Sequence, residues 1–499
     1  MTYSVALDVG GTFTDVILAA DQGDQFWVAK TASVPADPAS GFFAGIDKIL
    51  QVSGIGPAEV TSVLHGSTVA TNAILESKAA RTGLITTAGF RHVLEIGRAD
   101  IPRHANLYSW VKPTRPVRPR HIYEITERTR ADGTILEEPD DSALEAVARD
   151  VARDELAAVA ILFLHSYANP ANERRAAEAL GRLLPNIELC LSSDILPVFR
   201  EYERGMVTVL NAGVQPIIGP YVGSLKTGLA ERRIAAPLLV MKSNGGVFPP
   251  DVAARHPIHL ALSGPAAGAK GAAYVGKAAG FSDLITIDMG GTSADVALIR
   301  DGEPATSTTS QIGEFPLALP IIDIHTVGAG GGSVARLNSG NALVVGPESA
   351  GARPGPAAYA LGGERATVTD ANLLLGRIPP TLLDGEIPLD RQRAAAAVLK
   401  DVATPLGMSE EDAARGIIEI VDNNMIGALK VMSVERGLDP RDFALCAFGG
   451  AGPVHAARLM RLLGTPRLIV PRHPGILCAI GLMSADFRYD FVITCMQRA

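Results

Sequence analysis

Two segments of this sequence combine an acidic residue with a glycine turn in the same spacing. They read ALDVGGTFTDVILA at 6–19 and TIDMGGTSADVALI at 286–299. A Gly-Gly-Thr bend leaves backbone N–H groups free, has no side chain that keeps an anion away and adds a hydroxyl donor. An aspartate just before the bend is placed to hold Mg²⁺ beside a phosphate chain and to act in its chemistry. The pattern predicts two phosphate turns with these candidate residues: Asp8, Gly10, Gly11, Thr12, Asp288, Gly290, Gly291 and Thr292.

The repeat continues beyond the turns, because the pair Asp15 and Val16 recurs as Asp295 and Val296. A single copy fits a purely structural turn about as well as a phosphate site, whereas two matched copies favour phosphate binding. Each copy reads as an apolar run, a tight turn and a second apolar run, which is typical of a β-hairpin. The sequence therefore predicts duplicated halves, each with one phosphate hairpin.

Two further glycine-rich segments extend the predicted site. HTVGAGGGSVA at 325–335 follows an apolar run, and AFGGAGPVHAARLM at 447–460 reads as a strand, a turn and a helix. Such a helix start lets a phosphate or ribose approach the backbone, although a close strand-to-helix crossing also requires glycine. Together with the paired turns these segments favour ATP as the ligand. The residues assigned to it here are Gly328, Gly330, Gly331, Gly449, Gly450 and Gly452.

Polar residues elsewhere are candidates for substrate contacts and for a general base. The substrate candidates are His65, Thr68, Asn72, Arg98, Asn211 and Asn244. The first three lie in HGSTVATNAIL, where a helix cap beside a hydrogen-bonded histidine is an equally good interpretation. Asp15 and Glu203 are the candidates for the base. Acidic residues in runs such as REYER at 200–204 more often form salt bridges on a helix face.

These residues need a framework of alternating strands and helices. Between the repeats, strand-like runs such as 159–165 alternate with helical stretches such as 142–155, which is the pattern of an α/β domain. From about 98 to 140 the chain becomes rich in arginine and proline, which predicts hairpins and loops inserted into the first half. This insertion is either a lid over the substrate or an ordinary surface segment.

Composition and absent motifs exclude several classes of protein. The 499 residues suffice for roughly two to four structural units. A net charge of −8 without a dense basic block argues against nucleic acid or an anionic membrane as a partner. No apolar run approaches the ~20 residues of a membrane span, the four cysteines are scattered, and a cytoplasmic location is expected. The sequence has no P-loop, serine-hydrolase or zinc-peptidase motif.

An ordered series of motifs gives the sequence a resemblance to a known family. Besides the segments quoted above, the chain contains FREYERGMVTVLNAGVQP, MKSNGG, LSGPAAG, VGPESAGARPGPAAY and VTDANLLLGR, which begin at 199, 241, 262, 345 and 368. With these motifs the chain resembles the hydantoinase A/5-oxoprolinase family over nearly its whole length. The resemblance implies an α/β fold of two duplicated ATPase halves of the actin and sugar-kinase type (ribonuclease H-like), with a nucleotide cleft between them.

The resemblance also implies domain boundaries and positions for the ligands. It gives an N-terminal domain at 1–186, a main domain at 187–490 and a tail at 491–499, without the C-terminal domain that family members usually carry. ATP is expected between the halves, with Gly10 to Thr14 and the second turn at the phosphates and the loops at Gly328 and Gly449 towards the nucleoside. A second polypeptide, the B-type subunit of the family, is the expected partner.

The activity implied by the resemblance is ATP-dependent hydrolysis of a cyclic amide such as hydantoin, N-methylhydantoin, 5-oxoproline or a related lactam. Phosphorylation of the amide carbonyl oxygen would turn that oxygen into a leaving group. The alternative within the family is a subunit of an ATP-dependent ketone carboxylase. Two alternatives from other classes are a small-molecule kinase, which would release a phosphorylated product, and an ATP-switched binding protein of the actin or chaperone type.

Overall fold

The computed structural model describes residues 1–11, 13–34, 36–98, 111, 115–382, 385 and 387–494. Its strands are β1 (Tyr3–Val9), β2 (Phe13–Ala20), β3 (Phe26–Ala32), β4 (Val60–Ser67), β5 (Thr82–Thr87), β6 (Ile122–Ile125), β7 (Arg128–Thr129), β8 (Ile135–Glu137), β9 (Ala158–Leu162), β10 (Glu188–Leu191), β11 (Leu238–Met241), β12 (Val247–Phe248), β13 (Leu284–Met289), β14 (Ala294–Arg300), β15 (Glu303–Pro304), β16 (Thr306–Ser307), β17 (Ser310–Ile312), β18 (Phe315–Leu317), β19 (Ile321–Ile322), β20 (Ile324–Val327), β21 (Ser333–Leu337), β22 (Leu343–Ser349), β23 (Thr381–Leu382), β24 (Ile387–Pro388), β25 (Ala444–Phe448) and β26 (Arg467–Ile469). Its α-helices are α1 (Pro38–Ser53), α2 (Val69–Leu75), α3 (Val93–Ile96), α4 (Asp141–Arg153), α5 (Ala171–Leu183), α6 (Ser192–Ile195), α7 (Glu201–Glu231), α8 (Pro250–Arg255), α9 (Ser263–Ala278), α10 (Val368–Leu374), α11 (Arg391–Val398), α12 (Thr404–Leu406), α13 (Glu410–Met432), α14 (Gly452–Leu463) and α15 (Leu477–Met483). The predicted α/β fold class is confirmed.

The first half is built around a six-stranded sheet in the order β12-β11-β4-β1-β2-β3. β1 is central, antiparallel to β2 and parallel to β4, and its last five residues, VALDV, are all buried. A strand covered on both faces requires an apolar run, which this sequence supplies except at Asp8. A carboxylate in such a strand is costly, so Asp8 is the residue of β1 that calls for a functional explanation.

The second half repeats the central strands of this arrangement. Its sheet has the order β15-β14-β13-β25-β26, and β20 also pairs with β14. The central β13 is antiparallel to β14 and parallel to β25, as β1 is to β2 and β4. β20 and β26 then occupy the positions of β3 and β11. The duplication that the repeated motif predicted is thus present in the topology of the sheets.

A separate four-stranded sheet lies between α2 and α7 in the chain. Its order is β10-β9-β5-β6, and all of its neighbouring pairs are parallel. β6 falls inside the segment at about 98–140 that the sequence assigned to inserted hairpins and loops, and this part of the prediction is wrong because β6 is an integral strand. The short β7–β8 hairpin fits the prediction. Residues 99–110 and 112–114 of the segment lie outside the described residues.

Two helices connect the halves. α9 packs against β13 of the second sheet, and α15 packs against β1 of the first. The helices cross with their backbones in contact, since a Cβ added at Gly481 would lie 1.8 Å from the carbonyl oxygen of Ala267. On the other side, a Cβ at Gly271 would lie 2.3 Å from the carbonyl oxygen of Leu477. This glycine crossing fixes the position of one half against the other.

Each half encloses a large apolar core of its own. One core is centred on β1, β4 and α7, and the other on β13, α13 and β25. In the described part of the chain, no helix combines the length and the apolar character that crossing a bilayer requires. The two cores hold the hairpins rigidly, and the hairpin turns project from them.

Candidate functional site

The two phosphate turns close in the same way. The N–H groups of Gly10 and Gly290 each donate to the carbonyl oxygen three residues later, over 3.1 and 3.0 Å. Gly11 and Gly291 lie exposed at the tips. A Cβ added at Gly11 would meet no atom within 4 Å. Both turns therefore offer open backbone to an anion, while Thr12 lies outside the described residues.

The threonines of the two hairpins have different surroundings. Thr292 is exposed at the second turn. Thr14 is fully buried, and its hydroxyl shares a 3.0 Å hydrogen bond with the hydroxyl of Ser33. Thr14 therefore contacts its own half through its side chain, whereas Thr292 lies where it can meet a ligand.

Two carboxylates, Asp8 and Asp288, come from the strand ends that lead into the turns. Burial raises the pKa of Asp8 to about 7, and the charge of the neighbouring Asp15 adds to this shift. Burial raises the pKa of Asp288 to about 7, and the charge of Asp295 adds to this shift. Asp8 contributes to the same shift from across the cleft. The two halves therefore bring like charges together in a poorly solvated place, where a cation would stabilise their ionised forms.

Cys478 on α15 lies between these two carboxylates. Its Sγ donates to Oδ2 of Asp288 over 3.5 Å, and a hydrogen bond to the same thiol lowers the pKa of Asp8. Burial and the neighbouring carboxylates raise the pKa of the thiol well above its usual value. A thiol that stays protonated is a donor rather than a nucleophile. No pattern in the sequence joins Cys478 to the site, because this residue lies far from both turns along the chain.

A second pair of acidic residues, Asp15 and Asp295, lies opposite the first pair in the hairpin register. Asp15 forms a 2.6 Å salt bridge with Lys30, and Asp295 accepts a 2.5 Å hydrogen bond from the hydroxyl of Thr326. Lys30 on β3 and Thr326 on β20 occupy equivalent positions of the two sheets. Burial raises the pKa of Asp295 to about 6. Pairing the outer strands in register would have found both partners from the sequence.

The loop at 328–332 packs behind the second turn. The N–H of Gly331 donates to the carbonyl oxygen of Gly290 over 3.0 Å, and the N–H of Gly332 donates to that of Gly291 over 2.6 Å. A Cβ at Gly330 would lie 2.6 Å from backbone atoms of the turn. These glycines allow two backbone segments to touch, so the loop supports the turn from behind, and Gly328 lies equally close to Pro347.

Gly449 and its neighbours connect β25 to α14 directly beside Asp288. Gly449 has a φ of +82°, and a Cβ there would lie 2.2 Å from Oδ1 of Asp288. A Cβ at Gly450 would meet no atom within 4 Å. The buried Gly452 begins α14. Position 449 must be glycine because a side chain there would collide with the carboxylate of Asp288. Gly450 faces open space at a helix start that suits a phosphate or ribose.

The carboxylate pair fits a magnesium ion. Oδ1 of Asp8 is buried and has no hydrogen-bond partner among the described residues. Such an oxygen can serve as a ligand to a cation. No group of three or more His, Cys, Asp or Glu side chains within the described ranges could hold a metal by itself. Mg²⁺ usually takes one or two carboxylates and completes its shell with water and substrate phosphates, so two aspartates suffice.

The substrate candidates of HGSTVATNAIL lie at and after the end of β4. His65 belongs to the strand, is 1% exposed, and forms hydrogen bonds with the carbonyl oxygen of Leu7 and the hydroxyl of Tyr221 at 3.3 and 2.8 Å. Burial lowers the pKa of His65 to about 4. The hydroxyl of Thr68 donates to the carbonyl oxygen of Val9 over 3.2 Å, and Asn72 donates to Thr68 over 3.4 Å. These contacts hold β1 against α7 and against the start of α2.

The remaining substrate candidates have hydrogen-bond partners within the fold. Asn211 is buried within α7, where its side-chain oxygen accepts from the backbone of Ile258 over 3.1 Å. Asn244 follows β11 and donates to Asp490. Arg98 and Glu203 form a two-pronged salt bridge with distances of 2.8 and 2.6 Å, which is the arrangement the sequence offered as the alternative to a catalytic base.

Family models match almost the whole chain. The model described as "Hydantoinase/oxoprolinase N-terminal region" matches residues 4–184, and the model "Hydantoinase/oxoprolinase" matches residues 204–491. The chain belongs to the hydantoinase/oxoprolinase family. The resemblance inferred from the motifs is therefore confirmed.

Relatives of this hydantoinase/oxoprolinase family member include two kinds of enzyme subunit. Caprolactamase subunit alpha of Pseudomonas jessenii is 37% identical over 99% of this chain and 72% of its own length. Its crystal structure superposes with a TM-score of 0.84 over 97% of this chain and 71% of its own. The nucleotide-free structure of acetone carboxylase has a TM-score of 0.87 at 31% identity, over 97% of this chain and 70% of its own.

A third relative, 5-oxoprolinase 1 of Arabidopsis thaliana, is 32% identical over 97% of this chain, which spans 41% of that protein. The family contains ATP-dependent lactam hydrolases as well as carboxylase subunits.

Proposed function

We propose that one ATP molecule binds between the two halves, with its phosphates at the two glycine turns and its nucleoside towards Gly449 and Gly450. The observation that carries this proposal is the pair Asp8 and Asp288, which two separate sheets bring to one place with raised pKa values. Two buried acids of like charge destabilise each other, and a bound divalent cation with its phosphates offsets that cost.

In this proposal the groups of the chain bind the phosphates, hold the metal ion and orient the carboxylates. The N–H groups at the exposed tips, Gly11 and Gly291, donate to phosphate oxygens, and Thr292 adds a hydroxyl. Asp8 and Asp288 would hold Mg²⁺, and the bound ion would supply positive charge next to the phosphates. The thiol of Cys478 donates to the carboxylates and keeps them oriented. Catalysis of phosphoryl transfer is mostly such alignment and charge neutralisation.

We propose Asp15 as the general base. It lies beside Asp8 in the register, is half-buried, and Lys30 holds its carboxylate in place. Burial raises the pKa of Asp15, while Lys30 acts in the opposite direction. Glu203 does not share this role in the proposal, because both of its oxygens accept from Arg98.

The proposed reaction is the ATP-dependent opening of a cyclic amide. The phosphoryl group passes from ATP to the amide carbonyl oxygen and ADP leaves. Water adds to the carbonyl carbon and the C–N bond breaks, which releases the amine and leaves an acyl phosphate. A second water then displaces phosphate and gives the carboxylate. The 37% identity to a caprolactamase subunit supports this class of substrate.

We propose that the chain works with a second polypeptide. Its relatives are named as subunits, namely caprolactamase subunit alpha and the acetone carboxylase beta subunit of Xanthobacter autotrophicus. A B-type subunit of the same family is the proposed partner and would carry part of the substrate site.

The second candidate is a ketone carboxylase subunit. It is favoured by the TM-score of 0.87 to acetone carboxylase, and the same turns would then transfer the phosphoryl group to a ketone. The test is ATP hydrolysis by the purified chain, with and without the B-type partner, against hydantoin, N-methylhydantoin, 5-oxoproline, caprolactam, and acetone with bicarbonate. Stimulation by one of the amides, with a ring-opened product, supports the hydrolase. Stimulation only by acetone with bicarbonate overturns it in favour of the carboxylase.

A further inference from the structure

Two polar residues that the reaction does not use meet in the core of the second half. Asn372 belongs to VTDANLLLGR and lies on α10, and His455 belongs to AFGGAGPVHA and lies on α14. Nε2 of His455 accepts a hydrogen bond from Nδ2 of Asn372 over 3.2 Å. Nδ1 of the same imidazole donates to Oδ1 of Asp422 on α13 over 2.6 Å. These bonds join three helices in one buried network.

The network is polar in surroundings that are apolar. Asp422, His455 and Asn372 are 0%, 1% and 3% exposed, and they lie in the core built on β13, α13 and β25. Nε of Arg458 reaches Oδ2 of Asp422 over 3.0 Å as an ion pair rather than a hydrogen bond. Oδ1 of Asn372 has no partner in the described part of the chain. Apolar side chains would fill this place without such costs, which points to a role in geometry.

The two outer helices of the network begin at the proposed nucleotide site. α14 begins at Gly452, three residues before His455, in the loop proposed for the nucleoside. At the start of α10, three residues before Asn372, the N–H and the hydroxyl of Thr369 donate to the carbonyl oxygen of Gly331 over 2.7 and 2.9 Å. Gly331 belongs to the loop that supports the second turn. Each side chain of the pair therefore lies nearly one helical turn behind a part of the site.

We propose that His455 and Asn372 are positioning residues for the nucleotide, which set the distance between the start of α14 and the second phosphate turn. A nucleotide spans both places, because its nucleoside would lie at the α14 loop and its phosphates at the turn. Directional hydrogen bonds between α10 and α14 hold these two contact regions at a spacing that fits the nucleotide, whereas apolar contacts would leave that spacing less defined. The inference rests on the nucleotide site proposed above.

The test cuts the link between α10 and α14 with Asn372→Leu, a substitution of similar volume. One unpartnered atom, Oδ1 of Asn372, disappears and another, Nε2 of His455, is created, so the urea midpoint should change little. In calorimetry, MgADP should bind this variant about tenfold more weakly than the parent chain, which is the effect of losing about one net hydrogen bond. Magnesium pyrophosphate, which reaches only the turns, should bind both proteins alike.

A second variant cuts the same link from the other end. His455→Asn keeps a donor for Asp422 and lacks the atom that Asn372 reaches, so it should show the same loss of affinity for MgADP. The matched control is Asn423→Leu, the same exchange at an exposed position of α13. It should leave both affinities unchanged.

Three results would overturn the proposal in different ways. If both variants bind MgADP as the parent does, the network has no positioning role and the nucleotide site itself still stands. If MgADP and pyrophosphate weaken equally while the urea midpoint falls, the network only stabilises the fold. If the parent chain binds no MgADP, the proposed nucleotide site is wrong and this inference fails with it.

Discussion

Replacing Asp288 with asparagine should stabilise the nucleotide-free protein at pH 8 while it abolishes ATP hydrolysis. The folded pKa of Asp288 is about 7, compared with about 3.9 for an unfolded aspartate. For a carboxyl whose pKa is raised on folding, the folded state loses stability as the pH rises from the unfolded pKa to the folded pKa, and the loss is complete above the folded pKa. The native residue therefore costs about 4 kcal/mol at pH 8, about 1.5 kcal/mol at pH 5 and little below pH 4.

The assay is urea unfolding of the native chain and of Asp288→Asn at pH 5 and pH 8, without nucleotide or divalent cations. The variant's advantage in free energy of unfolding should grow by about 2–3 kcal/mol between the two pH values. The exposed Asp24→Asn serves as the surface control and should show no such growth. A difference in free energy of unfolding that is independent of pH, or that shrinks as the pH rises, would refute this reasoning. It would mean that Asp8 and Asp288 do not destabilise the nucleotide-free fold when they are ionised.

Three further substitutions test separate parts of the account. Gly449→Ala places a Cβ 2.2 Å from Asp288 at a φ of +82°. This variant should lower the free energy of unfolding in urea by about 1–3 kcal/mol and should also lose ATPase activity. The control Gly450→Ala, whose Cβ meets open space, should keep its stability and raise only the KM for ATP. Gly481→Ala should cost a similar amount because its Cβ meets the backbone of α9, while Gly427→Ala in open space on α13 should be neutral or slightly stabilising. Lys30→Met should raise the pKa of Asp15 further, so the acid limb of the ATPase pH profile should move to higher pH. Lys30→Arg should return the acid limb to its original position. An acid limb that does not move in Lys30→Met would contradict the role of Asp15 as the base.

The part of the site that the sequence could predict is the part that is local in the chain. Each hairpin needs only its own fourteen or so residues, so the repeated Asp-x-Gly-Gly-Thr turns were visible, and two equal hairpins imply two equal sheets. The strand, turn and helix around Gly449 were predictable for the same reason, since a glycine pair between an apolar run and an amphipathic run leaves few alternatives.

The remainder depends on contacts that bring distant parts of the chain together. Cys478 reaches Asp288 only because α15 crosses α9 at Gly481, and nothing near Cys478 in the sequence indicates that crossing. β6 was assigned to loops because proline and arginine surround four strand residues, and tertiary pairing with β5 outweighs that local composition. His65 shows the reverse, since its polar type suggested a ligand contact while burial gives it hydrogen-bond partners within the fold.

An isotope experiment tests whether ATP activates the carbonyl oxygen of a cyclic amide. The chain and its B-type partner are supplied with ATP and with the amide that stimulates hydrolysis, labelled with ¹⁸O at the carbonyl. Inorganic phosphate should acquire the label, because the former carbonyl oxygen leaves with the phosphoryl group. Product that retains all of the label in its carboxylate, with unlabelled phosphate, would contradict it.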